Sequence, residues 1–346
     1  MKDQYQEKII GGNFGLPQEF LLMRSNPVFL DGNPVLLFNA RSGIKLVIDY
    51  IKPRTVWLPS YLSPDILQAI NPNVTNIAFY PVDYQLETNS VSYKELLKPG
   101  DLFLFIDYFG FPFDSADIKE IKMNDCWVFR DCNQSLFHDW RRDDCDFYLY
   151  CPRKFLGVPD GGILHFRENI KLKIPNLSSP DYETMYHLFY SLVLRRDFDI
   201  YGGNQEWFKH FQIGEVQLKP GKSSMSDITR LLLKMAFDYQ KIKTQRRLNY
   251  QALSHKLGEI ALFSDLFENV IPLGFPIRLE NRDSIRQALF KKNIYPPVHW
   301  DIKGSVPEDF SESHKLSQKI MTLPCDQRYT VEDMNFMADT LLEILS

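Results

Sequence analysis

The chain has 346 residues, 44% of them hydrophobic and 24% charged, with a formal net charge of −4. That is ordinary globular composition, long enough for one large domain with a smaller one appended, and it carries no basic excess of the kind that holds nucleic acid. No apolar run reaches membrane-spanning length and the N-terminus, MKDQYQEK, lacks the apolar core of a signal peptide, so a cytoplasmic protein with no membrane partner is expected.

Residues 1–38 are mixed, with Gly11 and Gly12 in a GGNFGL stretch, and suggest an irregular arm packed on the main domain. A helix is expected to open at residues 38–43, where Ile44, Val47, Ile48 and Ile51 recur at amphipathic spacing. Ser42 and Gly43 fall in its first turn, where free backbone amides and the positive end of the helix dipole seat a phosphate. Residues 55–58 form the next strand, followed by Pro59, Ser60 and Tyr61 and a helix from about Asp65. Tyr61 is a candidate for stacking on a planar cofactor. Residues 77–80 and 102–106 are further buried strands, ending near Asp83 and Asp107, and alternation with helices implies a largely parallel sheet.

The richest stretch is residues 128–162, VFRDCNQSLFHDWRRDDCDFYLYCPRKFLGVPDGG. Residues 126–129 are β-prone and deliver Asp131 to the end of a buried strand, where α/β sheets present ligand groups. A second run, 147–150, leads into Cys151, Pro152, Arg153 and Lys154, and a third begins at Gly161-Gly162. Lys154 therefore sits in a short connection between strands. An amine there can lose its proton through desolvation or a nearby cation such as Arg153, and then condenses with aldehydes, the chemistry of pyridoxal phosphate. That cofactor also needs an anion against its pyridine nitrogen, a role open to Asp131. Gln134 is placed to hydrogen-bond the ring's phenolic oxygen. The cysteines, Cys126, Cys132, Cys145, Cys151 and Cys325, show neither a C-x-x-C pair nor metal-site spacing, so free thiols and no metal are expected.

Together, D-x-x-Q, a lysine 23 residues after the aspartate, and GG seven and eight residues past the lysine resemble the DegT/DnrJ/EryC1/StrS family of sugar aminotransferases. The resemblance runs from about Ile10 to the end. It implies an α/β, fold-type I architecture: a large domain with a mostly parallel central sheet flanked by helices (1–235) plus a small C-terminal α/β domain (236–346). It also implies pyridoxal 5'-phosphate as cofactor, with Asp131 at the ring nitrogen, Gln134 near the ring hydroxyl, Lys154 carrying the cofactor covalently, and the phosphate on the Ser42-Gly43 turn. Where the family has a phosphate-binding Ser shortly before the lysine, this chain offers Cys151, a weaker donor. The implied reaction moves an amino group, from a donor such as glutamate, to a keto-sugar that is nucleotide-linked, in a homodimer with composite sites. A dehydratase-like enzyme and a non-catalytic regulatory homologue share the fold; the family's known dehydratases replace the lysine with His, and Lys154 argues against that.

Beyond Gly162, residues 182–196 are expected to be helical, 197–222 a surface excursion, and 223–227 a segment reaching the partner subunit. One long helix is expected over 228–262, with Arg246 and Arg247 on a solvated face, linking the two domains. A strand at 276–279 and a helix at 283–292 follow. Residues 293–300 resemble the family's G-I-x-x-x-x-H-[WY] segment, and 323–329 its closing LP motif before the final helix. His299 is a candidate for the substrate entrance, and Arg328 for binding a substrate carboxylate or phosphate bidentately.

Overall fold

The computed structural model describes residues 8–18, 25–88, 93–113 and 115–346. The first seven residues, on which the expected absence of a signal peptide rests, lie outside them. The strands are β1 (Ile10–Gly11), β2 (Val35–Leu37), β3 (Thr55–Pro59), β4 (Asn76–Tyr80), β5 (Leu102–Ile106), β6 (Trp127–Asp131), β7 (Phe147–Tyr150), β8 (Gly162–Phe166), β9 (Phe275–Arg278), β10 (Ile294–Tyr295) and β11 (Ile320–Leu323). The helices are α1 (Ala40–Ile51), α2 (Ser115–Met123), α3 (Tyr182–Tyr201), α4 (Glu206–Gln217), α5 (Asp227–Met235), α6 (Tyr239–Leu257), α7 (Arg282–Phe290), α8 (Ser311–Lys319) and α9 (Val331–Leu345).

Seven strands form one sheet in the order β2-β8-β7-β6-β5-β3-β4, parallel throughout except for β8, which runs against both its neighbours. Every residue of β5 and β7 is buried, as strands covered on both faces require. From β3 the chain steps outward to β4, then crosses to β5 on the other side, so the strand order reverses there. The carboxyl ends of such strands are where α/β sheets leave a crevice for ligands.

The structure refines three expectations about the elements. Residues 197–222 lie largely at the surface but are helical rather than irregular: α3 continues to Tyr201, and α4 packs back along it, burying Trp207. The single helix over 228–262 is two, α5 and α6, because Asp238 caps a new start by accepting from the Lys241 amide. The N-terminal arm ties to the C-terminal part of the chain, where β1 pairs with β10 and the Gly11 amide donates to the Tyr329 hydroxyl at 2.8 Å. Among the described residues no helix is long and apolar enough to cross a membrane, and no group of His, Cys, Asp or Glu is arranged to hold a metal ion. All five cysteines are free.

Candidate active site

Successive residues of a strand face opposite sides, so at the end of β6 Arg130 and Asp131 part ways. Arg130 turns to a buried pair of carboxylates, Asp107 at 2.6 Å and Asp143 at 3.2 Å. Asp131 turns to a cavity of about 480 Å³. The Asn133 amide donates to Asp131 Oδ1 at 2.8 Å. Burial nevertheless pushes the Asp131 carboxyl up to about 6, against the pull of the Lys154 ammonium and Asn133.

Gln134 also lines the cavity. Its Oε1 accepts from the Phe109 amide at 2.8 Å, which fixes the side chain and leaves Nε2 buried without an acceptor. A buried donor in that state costs free energy of about 1–3 kcal/mol, so an acceptor on a ligand is what the site lacks.

Lys154 closes a tight turn, Pro152–Lys154, immediately after β7. Its ammonium stands 5.9 Å from the centre of the Trp300 ring, and among the described residues it has no hydrogen-bond or ion-pair partner. The glycine pair that follows brings this turn up to α1. The Gly161 amide donates to the Phe38 carbonyl at 2.9 Å, and a Cβ on Gly162 would lie 2.4 Å from the Asn39 backbone. Only a residue without a side chain lets the two segments meet there.

The helix that arrives is α1, and its first turn does open on the cavity, but through other residues than expected. Asn39 caps it, accepting from the Ser42 amide at 3.0 Å. Asn39, Ala40 and Arg41 line the cavity at this first turn. Ser42 is buried, its hydroxyl donating to Asn39 Oδ1 at 3.1 Å and accepting from the Gly221 amide at 3.0 Å. Gly43 faces the sheet, where an added Cβ would lie 2.6 Å from Leu149 Cδ1. Neither Ser42 nor Gly43, the turn expected to seat a phosphate, lines the cavity; Ala40 and Arg41, just before them, do. Gly43→Val is expected to act on packing, lowering stability by about 1–3 kcal/mol in denaturant unfolding.

Tyr61 is likewise displaced from its expected place. It is fully buried, its hydroxyl donating to the His299 carbonyl and accepting from the Trp300 amide at 2.8 Å, with the two rings 5.8 Å apart. Aromatic rings that do stand on the cavity wall are Trp300, Phe14 and Phe211. His299 lines the cavity as well and is fixed through Nδ1 to the Thr322 hydroxyl at 2.9 Å. Desolvation and the Lys154 ammonium push its imidazole down to about 3, so it is neutral. Cys151 is half-buried on the same wall, and burial raises its thiol against the pull of Lys154 and Arg153, leaving a neutral, weak donor.

Arg328 does not offer a free fork. Nε and Nη2 donate to Asp326 at 2.8 and 3.0 Å, Nη1 to the Asn13 carbonyl at 2.9 Å, and the guanidinium lies 4.2 Å from the Phe14 ring centre. It clasps the N-terminal arm. Arg246, expected on a solvated face, is fully buried: it donates to Gln327 at 2.7 Å and to the Pro272 carbonyl at 2.9 Å and stacks on Phe155, the residue after Lys154. Nothing in the sequence marked Arg246, whereas Trp300 was visible beside His299.

The mostly parallel seven-stranded sheet thus carries a lysine in the turn after one strand and an aspartate at the end of its neighbour. Solved structures with this fold superpose over nearly the whole chain. Spr1654 of Streptococcus pneumoniae, described as a sugar aminotransferase, matches in its PLP-form with a TM-score of 0.70 at 13% identity, covering 97% of this chain and 98% of its own. PseC of Helicobacter pylori, an aminotransferase of pseudoaminic acid biosynthesis, matches at 0.69 and 10%, covering 97% and 99%. DesV of S. venezuelae matches at 0.62 and 15%, covering 90% and 84%. At these identities the likeness establishes the fold. No family model matches the chain. No curated protein matches it in sequence.

Proposed function

We propose that this chain is a pyridoxal-phosphate-dependent aminotransferase that transfers an amino group, from glutamate, to a nucleotide-linked keto-sugar. The observation that carries the reading is the buried, unpartnered Gln134 Nε2 on the same cavity as Asp131 and Lys154. A planar ring with a phenolic oxygen, a basic nitrogen and an aldehyde needs a donor, an anion and an amine, and these three residues are that set. The kinds of protein that share the fold, sugar aminotransferases among them, support the same reading.

When bound, pyridoxal phosphate supplies an aldehyde that condenses with amines and a ring that draws off electrons left on the substrate carbon. Asp131 holds a proton at the ring nitrogen, and Gln134 donates from Nε2 to the phenolic oxygen. The first turn of α1, with Ala40 and Arg41 on the cavity, and the α1 dipole would take the phosphate. Lys154 would anchor the cofactor through its amine and, as a free amine, would be the group placed to hold or give up a proton beside it. Trp300 gives the cavity an aromatic wall that excludes water.

Addition of L-glutamate to the cofactor-loaded protein should shift the cofactor's absorbance, and a panel of keto-sugar nucleotides should then reverse the shift with amine transferred to the sugar. No shift with any amino acid would sink the proposal. A pH dependence also follows. Asp131 in the cofactor-free cavity gains a proton near pH 6, so cofactor affinity should fall as pH drops through that value. The cofactor phosphate titrates there too, near about 6. Subtracting the profile of Asp131→Asn isolates the carboxylate, and identical profiles would remove it from the ring nitrogen.

A further inference from the structure

Arg153 directly precedes Lys154 and lines the same cavity. One of its terminal nitrogens donates to the carboxylate of Glu215, on α4, while its Nε is buried with no partner. A guanidinium presents two parallel N–H groups to a carboxylate, so the fork is only half used. The Glu215 side chain is 38% exposed and that of Arg153 16%, so the carboxylate has more water to move into than the guanidinium.

The other arginines on the cavity are committed elsewhere. Arg328 and Arg246 donate to protein acceptors as described, and Arg41, at the α1 end, donates to Gln68 at 2.9 Å and to the Leu218 carbonyl. Position favours Arg153 as well. In an amino acid the carboxylate sits on the carbon that bears the reacting nitrogen, and that nitrogen must reach the place Lys154 holds. A cation for that carboxylate therefore belongs beside Lys154.

An aminotransferase that serves an amino acid and then a sugar carbon faces a conflict in one cavity. A fixed, free cation suits the first substrate, yet against the second it is a desolvated charge without a partner. An internal carboxylate that steps aside resolves the conflict. Resting on the aminotransferase reading above, we infer that Arg153 determines specificity for the α-carboxylate of the amino donor. Glu215 is the displaceable carboxylate that masks it while the sugar occupies the cavity.

The test is calorimetric titration of the cofactor-free protein with glutarate, which has carboxylates but no amine, and separately with inorganic phosphate. Glu215→Gln should bind glutarate about tenfold tighter than the unsubstituted protein and Arg153→Gln about tenfold weaker, with Arg153→Lys between, because the charge remains and the fork is lost. Phosphate affinity should be the same in all four. Far-UV spectra and melts check that each variant is folded. Glutarate affinity unmoved by either substitution overturns the inference, as does an Arg153→Gln defect in phosphate binding instead. In the loaded protein, KM for L-glutamate in the absorbance-monitored half-reaction should follow the glutarate order. If no amino acid shifts the absorbance of the unsubstituted protein, the aminotransferase reading and the donor assignment fall together. If it does shift while glutarate affinity ignores Arg153, the inference falls alone.

Discussion

Lys154→Ala protein, loaded with pyridoxal phosphate and treated with borohydride, is expected to carry no lysine-linked cofactor, and its turnover should fall by at least about a thousandfold. Lys154 is the only lysine among the described residues that line the cavity, so no other amine there can take its place. The fold should survive. The ammonium has no hydrogen-bond or ion-pair partner among the described residues, and its loss removes only its pull on the buried Asp131 carboxylate, so the variant should melt close to the parent below about pH 6 and somewhat lower above it. A lysine adduct at full stoichiometry in this variant, located by peptide mapping, would put the chemistry on a different residue.

Asp131→Asn is expected to trade activity for stability. Turnover should drop at least about a hundredfold, because a neutral amide cannot hold the proton on the ring nitrogen. The cofactor-free variant should at the same time melt higher than the parent at pH 8. The carboxyl is raised to about 6 in the fold, against about 3.9 in an unfolded chain. Its contribution to stability is therefore fully present below about pH 4 and lost as pH rises through 6, so above that the ionised, buried group weighs against the fold. At about 1.4 kcal/mol per pH unit, the gain from removing it is at most about 3 kcal/mol at pH 8 and should vanish by pH 4. Equal melting temperatures at pH 8 would show that the carboxylate is not strained by burial; near-parental turnover would show that it does not serve the ring.

The central sheet was legible because its strands are buried on both faces. Runs such as Leu102–Ile106 and Phe147–Tyr150 are apolar without alternation, and that alone marks a covered, parallel strand. The order of these runs also determined that Asp131 ends one strand and Lys154 follows the next. The α3–α4 pair was not legible past residue 196, because much of its apolar surface, Tyr201 and Val216 among it, stays exposed and blurs the helical period. The break between α5 and α6 turns on one side-chain cap at Asp238, which the apolar pattern running through it conceals.

By itself, then, the sequence determined an α/β chain whose aspartate, glutamine, lysine and paired glycines fall at the ends of adjoining strands, since strand boundaries follow from local hydrophobicity and turn chemistry. The tertiary structure decided which buried side of each residue is cavity and which is core. Periodicity separates inside from outside but does not distinguish two kinds of inside. Ser42 and Gly43 therefore went to the core side of α1 while Ala40 and Arg41 face the cavity. Tyr61 lies buried with Trp300 on the wall, and Arg246 fastens α6 to the turn after Lys154 where a solvated charge was expected. Each outcome depends on a contact between residues about ninety or more positions apart or on the packing of a helix against a strand, and no local pattern carries that information.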